Sequence, residues 1–352
     1  MRTLLVLGLL LLSLTAVRAQ EFDDKGYGWL IDKLEVDGVP RERSLRVFSD
    51  PRFPPFDGLG FSLDPRESHA MYSGHLSASS TARARRCMDD HLTAFRAAEQ
   101  AHGVSAAVIA AIVHVESACN RNTGNTIILP RLARLAMANE PPNLDANIAR
   151  YTDGVGSESS ADIARRVRAR GQRLEDMFYP EVLGTFTIAA RLGIDPLSIR
   201  GSGSGAFGMP QFLPTSYLRH GEDGNGDGVV SLYDPDDAIF SCAKYLSAHG
   251  WKPGITYEEQ RRVIWDYNHS DAYIDAVLGL ASRIADPDEP VVEAAAPPRP
   301  RKKVAARKAT SKKRVVAKKA PAKKSAAKVK KTSVTKKAPT KTTSKKTATA
   351  AR

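Results

Sequence analysis

A single glutamate, Glu116, ends a strongly apolar stretch, residues 104–118 (VSAAVIAAIVHVESA). Ile109, Ile112 and Val113 precede it by seven, four and three residues, so on a helix all four side chains share one face. Burial disfavours the charged form of a carboxylate and raises its pKa, which is the property a general acid needs near neutral pH. The alternative is a Glu at a helix end that reaches solvent or pairs with an arginine. The stretch alone leaves both interpretations open.

A glycine-rich segment, residues 201–217 (GSGSGAFGMPQFLPTSY), is the second candidate for chemistry. Its glycines are costly to order, which favours a place where backbone approaches a ligand closely. A flexible surface loop is the alternative, but Phe207, Met209 and Phe212 favour burial or a ligand-facing position. In that setting the Gln211 amide can hydrogen-bond a neutral polar substrate.

The YNHS motif, residues 267–270, places an aromatic ring beside an amide. The Tyr267 ring can cover the apolar face of a sugar, while Asn268 can bond to a hydroxyl or an N-acetyl group. A tyrosine in the core and an asparagine at a helix end would give the same four residues. The motif by itself favours neither interpretation.

An EF-hand-like calcium loop is predicted at residues 223–234 (DGNGDGVVSLYD), because its oxygen-bearing residues alternate around Gly228 at position 6. Position 12 holds an aspartate where a bidentate glutamate is usual. We expect a structural Ca²⁺ site. The ligand positions 1, 3, 5, 7 (a backbone carbonyl), 9 and 12 are Asp223, Asn225, Asp227, Val229, Ser231 and Asp234.

The elements that would hold Glu116 are two antiparallel helices, predicted over residues 83–100 and 104–118 and joined at His102 and Gly103. Cys87 and Cys119 each lie 16 residues from Gly103, so in two antiparallel helices they would lie side by side at the same distance from the connecting turn. We therefore predict a Cys87–Cys119 disulfide that fixes the end of the Glu116 helix. Cys242 lies on the apolar face of a later helix and is predicted to be a buried free thiol.

The rest of the central region is mainly α-helical. No stretch shows sustained alternation of apolar and polar residues, whereas apolar residues recur at helical spacing between Gly and Pro breaks. We expect one domain over residues 20–286. Its further helices are predicted at residues 28–37, 41–48, 129–139, 144–151, 160–172, 181–192, 235–250, 257–265 and 271–284.

The two ends of the chain differ from this domain in composition. Residues 1–19 combine an arginine, a leucine-rich run and the small residues Val17 and Ala19, which predicts a signal peptide cleaved near Ala19. Residues 301–352 hold 21 Lys or Arg and no acid, whereas residues 1–300 hold 31 basic and 39 acidic residues. We predict an acidic exported domain with a disordered basic tail, residues 287–352, that binds anionic wall or surface polymers.

Taken together, these motifs resemble the B-type lytic transglycosylases of bacterial cell walls, over residues 28–284. The resemblance implies a lysozyme-like helical core and no organic cofactor. A monomer is the default expectation, and the signal peptide predicts a location in the periplasm or at the cell wall. It implies cleavage of the β-1,4 bond from N-acetylmuramic acid to N-acetylglucosamine in peptidoglycan glycan strands, leaving a 1,6-anhydro end, with Glu116 as the single acid and base. The substrate-contacting residues that it implies are Ser202, Gln211, Phe212, Tyr245, Tyr267 and Asn268.

The chain departs from the family pattern at Met209 and Pro210, beside Gln211, and at Cys119. The alternatives are a muramidase that admits water and a catalytically weak peptidoglycan-binding or scaffold protein tethered by its tail. A histone-like nucleic-acid binder is suggested by the tail alone. The signal peptide and the acidic domain argue against that last class, so nucleic acid is not an expected partner.

Overall fold

Residues 22–65, 68–153 and 159–286 are described by the computed structural model of the chain. The predicted signal peptide and basic tail lie outside these residues. The regular structure of the described part consists of thirteen α-helices, two short 3₁₀ helices (Ser73–Leu76 and Met137–Asn139) and one short strand pair. The helices are α1 (Gly28–Val36), α2 (Arg41–Phe48), α3 (His69–Tyr72), α4 (Ala78–Asp90), α5 (Leu92–His102), α6 (Ala106–Ser117), α7 (Ile128–Ala136), α8 (Pro141–Thr152), α9 (Ser160–Leu192), α10 (Pro214–His220), α11 (Pro235–Ala248), α12 (Tyr257–Tyr267) and α13 (Asp271–Ala285).

Helix α6 forms the centre of the core. It is apolar on almost every side, and a helix of that kind is stable only when other elements cover it all round. Helices α4, α5, α11 and α13 pack against it. Nine of its twelve residues are buried, including His114. The prediction of a mainly α-helical fold is confirmed.

The predicted helix over residues 83–100 is instead two helices, α4 and α5, that break at His91. Asp89 and Asp90 explain the break, because acidic residues are unfavourable at the C-terminus of one helix and favourable before the N-terminus of the next. The chain bends by 118° between α5 and α6, well short of an antiparallel hairpin. Cys87 therefore reaches Cys119 from α4, which packs directly on α6.

The two helices predicted at residues 160–172 and 181–192 are one continuous helix, α9, of 33 residues. Gly171 and Pro180 lie inside it, although proline removes a backbone hydrogen bond. Buried residues on both sides of Pro180, among them Leu174, Val182 and Phe186, hold the helix against its neighbours. Tertiary packing has overridden the local break signal.

A two-stranded antiparallel pair, β1 (Thr126–Ile127) with β2 (Arg200–Gly201), brings the turn after α6 beside the glycine-rich segment. Thr126 pairs with Gly201 and Ile127 with Arg200. A Cβ added to Gly201 would collide with the carbonyl oxygen of Ala206, so this close approach of backbones requires glycine.

No single described helix is long and apolar enough to cross a membrane. Helices α5 and α6 together satisfy length and composition, but they are the bent pair above, and both contribute residues to the buried core.

Candidate active site

Glu116 lies in the last turn of α6, where it is half-buried beside the fully buried Ile112 and Val113. The hydroxyl of Tyr273, on α13, donates a hydrogen bond to its Oε1 at 2.6 Å. Tyr273 is buried, and burial, followed by the charge of Glu116, raises its pKa well above the usual value. The phenol therefore stays protonated, and it holds one carboxylate oxygen in place from the core side.

The turn that follows Glu116 has an uncommon backbone. Ala118, Cys119 and Asn120 have φ values of 50°, 59° and 64°, a left-handed conformation that residues with a Cβ rarely adopt. Such conformations persist only where the surroundings enforce them, and they concentrate at functional sites. Cys119 is tied to Cys87 by a disulfide, with 6.2 Å between their Cα atoms.

Ser117 connects the same turn to the glycine-rich segment. Its hydroxyl donates to the carbonyl oxygen of Met209 at 2.7 Å and accepts from the backbone N–H of Asn120 at 3.0 Å. The Asn120 side-chain amide donates to the carbonyl oxygen of Tyr233 at 2.8 Å. The end of α6, and with it Glu116, is thus fixed to two other segments.

His114 lies one turn before the disulfide and is 3% exposed. Its Nε2 is 2.8 Å from the hydroxyl oxygen of Ser80, and its Nδ1 is 3.6 Å from Sγ of Cys119. Burial, with the nearby His75 and arginines as lesser causes, lowers its pKa to about 4. The ring is therefore neutral at physiological pH and serves as a packing residue behind the turn.

Gln211 has a left-handed backbone with φ of 50°. Its amide nitrogen donates to the carbonyl oxygens of Thr123 and Gly208 at 3.0 and 2.8 Å. No donor among the described residues reaches its Oε1, so this oxygen can accept a hydrogen bond from a ligand. The amide is held rigidly at the edge of the cleft described next.

A cleft of about 920 Å³ runs along this side of the molecule. Five predicted substrate-contacting residues line it together: Gln211, Phe212, Tyr245, Tyr267 and Asn268. Four further lining residues were not predicted from the sequence: Pro65, His69 on α3, Met177 on α9 and Trp265 on α12. The walls combine aromatic rings with a few amide and carboxylate groups, a composition suited to sugars.

Three of the cleft's aromatic rings support one another. Ring centroids are 5.5 Å apart for Phe212 and Tyr245, 4.9 Å for Tyr245 and Tyr267, and 6.0 Å for Phe212 and Tyr267. The hydroxyl of Tyr245 donates to the carbonyl oxygen of Asp266 at 2.7 Å, and that of Tyr267 donates to the carbonyl oxygen of Pro210. These rings form a rigid wall.

The same wall leads to Glu116. The rings of Tyr267 and Tyr273 are stacked, with an interplanar angle of 10° and centroids 6.3 Å apart. Tyr267 lines the cleft and Tyr273 donates a hydrogen bond to Glu116, so the half-buried carboxylate lies next to this pair of rings. Glu116 and Ser202 are not among the described residues that line the cleft itself. The Ser202 hydroxyl accepts from the backbone N–H groups of Ser204 and Ala206 and shapes its own loop.

Two further carboxylates, Asp266 and Asp271, line the cleft. Both are exposed, and Asp271 forms an ion pair with Arg261 at 2.9 Å. Neither is held by a buried phenol in the way that Glu116 is held by Tyr273. Of these three carboxylates, Glu116 is the one that a buried phenol holds in place.

The predicted calcium loop is folded around its own acidic side chains. Asp223 accepts hydrogen bonds from the backbone N–H groups of Gly226 and Gly228, and Asp227 accepts from that of Val229. No group of three or more His, Cys, Asp or Glu side chains within the described residues converges as metal ligands do. The oxygen-rich side chains nevertheless fit a hard divalent cation.

The structure assigns the loop's two closing carboxylates differently from the sequence prediction. Asp234 caps α11, accepting from the backbone N–H groups of Asp236 and Asp237. Asp237 is fully buried and reaches back into the loop, where its oxygens accept from Gly224 at 2.8 Å and Ser231 at 2.7 Å. Asp237, not Asp234, is therefore the carboxylate that closes the loop.

Sequence reasoning missed two residues of this arrangement, Tyr273 and Asp237. Tyr273 shares the apolar face of α13 with Val277 and Ile284 and so resembles an ordinary core residue. A hydroxyl on that face was the available signal, because a buried Tyr hydroxyl needs a partner. Asp237 lies in the first turn of α11, where an acidic residue is favourable in any helix, so its sequence position alone does not connect it with the loop.

Comparison with known proteins is consistent with this site. Residues 63–261, more than half of the chain, match the Transglycosylase SLT domain family. The chain belongs to this family. Over 162 residues it is 36% identical to membrane-bound lytic murein transglycosylase B of Escherichia coli (strain K12), a match that takes in 46% of this chain and 36% of that relative's length. The resemblance to the B-type lytic transglycosylases is confirmed.

Solved structures show the same fold. The Escherichia coli lytic transglycosylase Slt35, in complex with calcium, superposes with a TM-score of 0.54 at 22% identity, over 74% of this chain and 92% of that one. SltB3 of Pseudomonas aeruginosa, in complex with NAG-anhNAM-pentapeptide, gives a TM-score of 0.53 at 17% identity, over 74% and 80%. These likenesses establish the lysozyme-like helical fold.

Proposed function

We propose that this chain is a peptidoglycan lytic transglycosylase that cleaves the bond from N-acetylmuramic acid to N-acetylglucosamine. The observation that carries the proposal is Glu116, which is half-buried and is held by the Tyr273 hydroxyl next to the aromatic wall of the cleft. The SltB3 structure, whose ligand carries an anhydro sugar, supports the same class of substrate for this fold.

In this proposal Glu116 acts twice. As an acid it gives its proton to the glycosidic oxygen, and the bond to the muramic C1 breaks while the N-acetylglucosamine side leaves as an alcohol. The carboxylate then takes the proton of the muramic C6 hydroxyl, whose oxygen forms the new bond to C1. No water is consumed, and Glu116 ends protonated, as it began.

A second carboxylate is not required in this scheme, because the acetamido group of the substrate stabilises the positive charge that develops at C1. Substrate-assisted glycosidases are the known exception to the two-carboxylate arrangement. The exposure of Asp266 and the ion pair of Asp271 agree with a single acid and base.

The aromatic wall and the amides of the cleft would hold the glycan. Tyr245 and Tyr267 present apolar surface to sugar faces, Gln211 offers its Oε1 to a hydroxyl or amide N–H, and Asn268 offers both a donor and an acceptor. Because the Tyr hydroxyls are bonded to backbone, the wall is formed before substrate arrives, which lowers the entropy cost of binding.

We also propose a structural Ca²⁺ in the loop of residues 223–237. Asp223, Asn225, Asp227, the Val229 carbonyl, Ser231 and the buried Asp237 would hold it. The calcium complex of Slt35 supports this proposal. The cation would neutralise the loop's acids and strengthen the link between α10 and α11, away from the reacting bond.

We further propose that the protein is exported and that residues 20–286 form its enzymatic domain. A disulfide between Cys87 and Cys119 is favoured in an oxidising compartment, which supports export. We propose that the basic tail tethers the enzyme to anionic wall polymers without taking part in the reaction.

The products test the proposed reaction. Purified peptidoglycan treated with the mature protein should release muropeptides that end in 1,6-anhydro-muramic acid, each lighter by one water than a hydrolysis product. Mass spectrometry distinguishes the two. Reducing ends would show a muramidase, and the absence of release, with retained binding to the wall, would show a binding or scaffold protein.

A further inference from the structure

We infer that an arginine stripe on α9, formed by Arg166, Arg170 and Arg173, binds carboxylate groups of the peptide stems carried by the glycan in the cleft. This inference rests on the proposed function, since it places peptidoglycan in the cleft. It adds a second contact surface, outside the sugar-binding wall, that recognises the peptide part of the substrate.

The stripe leads directly to the cleft. Arg166, Arg170 and Arg173 are spaced i, i+4 and i+7, so they share one face of α9, and Met177 is the next residue on that face. Met177 is exposed and lines the cleft. With a rise of 1.5 Å per residue, Arg173 and Arg170 lie about 6 and about 10 Å beyond Met177 along the helix.

The far end of the stripe is also joined to the cleft. Arg166 pairs with Asp64 at 2.9 Å, and the next residue along the chain, Pro65, lines the cleft. Met177 of α9 and Pro65 both line the cleft, and the arginines lie on α9 between the contacts that these two residues mark.

The inner two arginines, Arg170 and Arg173, have no acidic partner in the part of the chain that the structure describes. Among the described residues, neither Arg170 nor Arg173 forms an ion pair. The Nε of Arg170 is shielded from solvent and has no hydrogen-bond acceptor there. Burial, followed by repulsion from Arg173, lowers the pKa of Arg170.

Two guanidinium groups that repel each other, one of them partly desolvated, are unfavourable in the free protein. A bound carboxylate would accept from the planar donors of both groups and relieve the repulsion. The two guanidinium groups therefore form a site that a bound anion would stabilise.

The substrate supplies carboxylates at the right distance. Glycan made of N-acetyl sugars is neutral apart from its peptide stems, which branch from the muramic acid and carry free carboxylates. An extended peptide advances about 3.3 Å per residue, so two to three stem residues span from a sugar beside Met177 to Arg170. The stem of the bound strand is thus the occupant that both charge and reach favour.

The test measures binding in a Glu116→Gln background, so that no substrate is consumed. Calorimetry compares a muropeptide with a free-carboxylate stem, the same muropeptide with its stem carboxylates amidated, and the glycan without peptide, whose lactyl carboxyl groups are also amidated. Arg170→Gln together with Arg173→Gln should weaken binding of the first ligand by up to about tenfold, as expected for two partly exposed charge pairs. Binding of the other two should not change.

Arg168→Gln is the matched control. Arg168 is exposed on the same helix, but it lies two residues from Arg166 and so on the opposite side. It should leave all three affinities unchanged. The effect of the double variant should also disappear near about 0.5 M salt, where charge interactions are screened.

If the double variant lost equal affinity for free and amidated stems, or lost no affinity for the free-carboxylate stem, the inference would be wrong. Binding of bare glycan would still support the proposed substrate. Failure of every protein to bind bare glycan would overturn both. Thermal melts of the double variant, measured by circular dichroism, confirm that it is folded.

Discussion

Replacing both Cys87 and Cys119 with alanine should destabilise the protein by about 4 kcal/mol. The two residues are 32 positions apart. Closing a loop of that length removes about 12 cal/mol/K of entropy from the unfolded chain, or about 4 kcal/mol at 25 °C. Alanine is the appropriate replacement, because Cys87 is buried and a serine hydroxyl there would add a desolvation cost.

The assay is guanidinium unfolding followed by circular dichroism, under non-reducing conditions, of the wild type and the double variant. Cys242 stays in both proteins as a buried free thiol. Wild type unfolded and refolded in reductant should match the variant. A difference below about 1 kcal/mol would refute the reasoning, since it would mean that the disulfide does not restrict the unfolded chain. A loss of stability well above the expected value would mean that the left-handed turn after Glu116 also depends on the disulfide.

Three further predictions concern the site and its support. Tyr273→Phe should lower kcat by about tenfold to a hundredfold at nearly constant KM, because a hydrogen bond to a charged group contributes about 1.5–3 kcal/mol. An unchanged kcat would show that the phenol does not position Glu116. Asp237→Asn should abolish the rise in melting temperature that added Ca²⁺ gives, as measured by differential scanning fluorimetry with and without chelator. Asp234→Asn should keep that rise and lose only about 1 kcal/mol of stability from the helix cap. The reverse pattern would show that Asp234 is the closing ligand. The pKa of His114 is lowered from 6.5 to about 4, so the unfolded chain binds more protons between these values. Stability should therefore fall as pH falls from 6.5 to 4, by up to about 3 kcal/mol from this residue, and should be level above that range. In urea unfolding, His114→Gln should lose this part of the pH dependence; an unchanged pH dependence would show that the ring is not buried in its neutral form.

The sequence predicted the parts of this protein that depend on local pattern. The apolar period of α6 predicted a buried helix with Glu116 at its end. The glycine-rich segment predicted a close approach of backbone to a ligand, and the structure shows a close approach of backbone to backbone at Gly201. The alternation of oxygen-bearing residues around Gly228 predicted a tight loop. Each of these signals lies within about twenty residues, where periodicity and turn chemistry act directly.

The parts that depend on tertiary packing could not be predicted in the same way. Pro180 predicts a helix end, yet α9 runs through it because both halves are buried. Asp237 shares its short sequence context with Asp234, and only the fold shows which carboxylate turns back into the loop. Tyr273 reaches Glu116 across 157 positions of sequence, a contact that no local pattern encodes.

The most direct test of the account is the muropeptide profile released by Glu116→Gln beside that of the wild type, on the same purified peptidoglycan and at equal protein. The account predicts 1,6-anhydro products from the wild type and none from the variant. The variant should melt at nearly the same temperature and still bind the glycan. Anhydro products from Glu116→Gln at a rate near that of the wild type would contradict the assignment of Glu116 as the single acid and base.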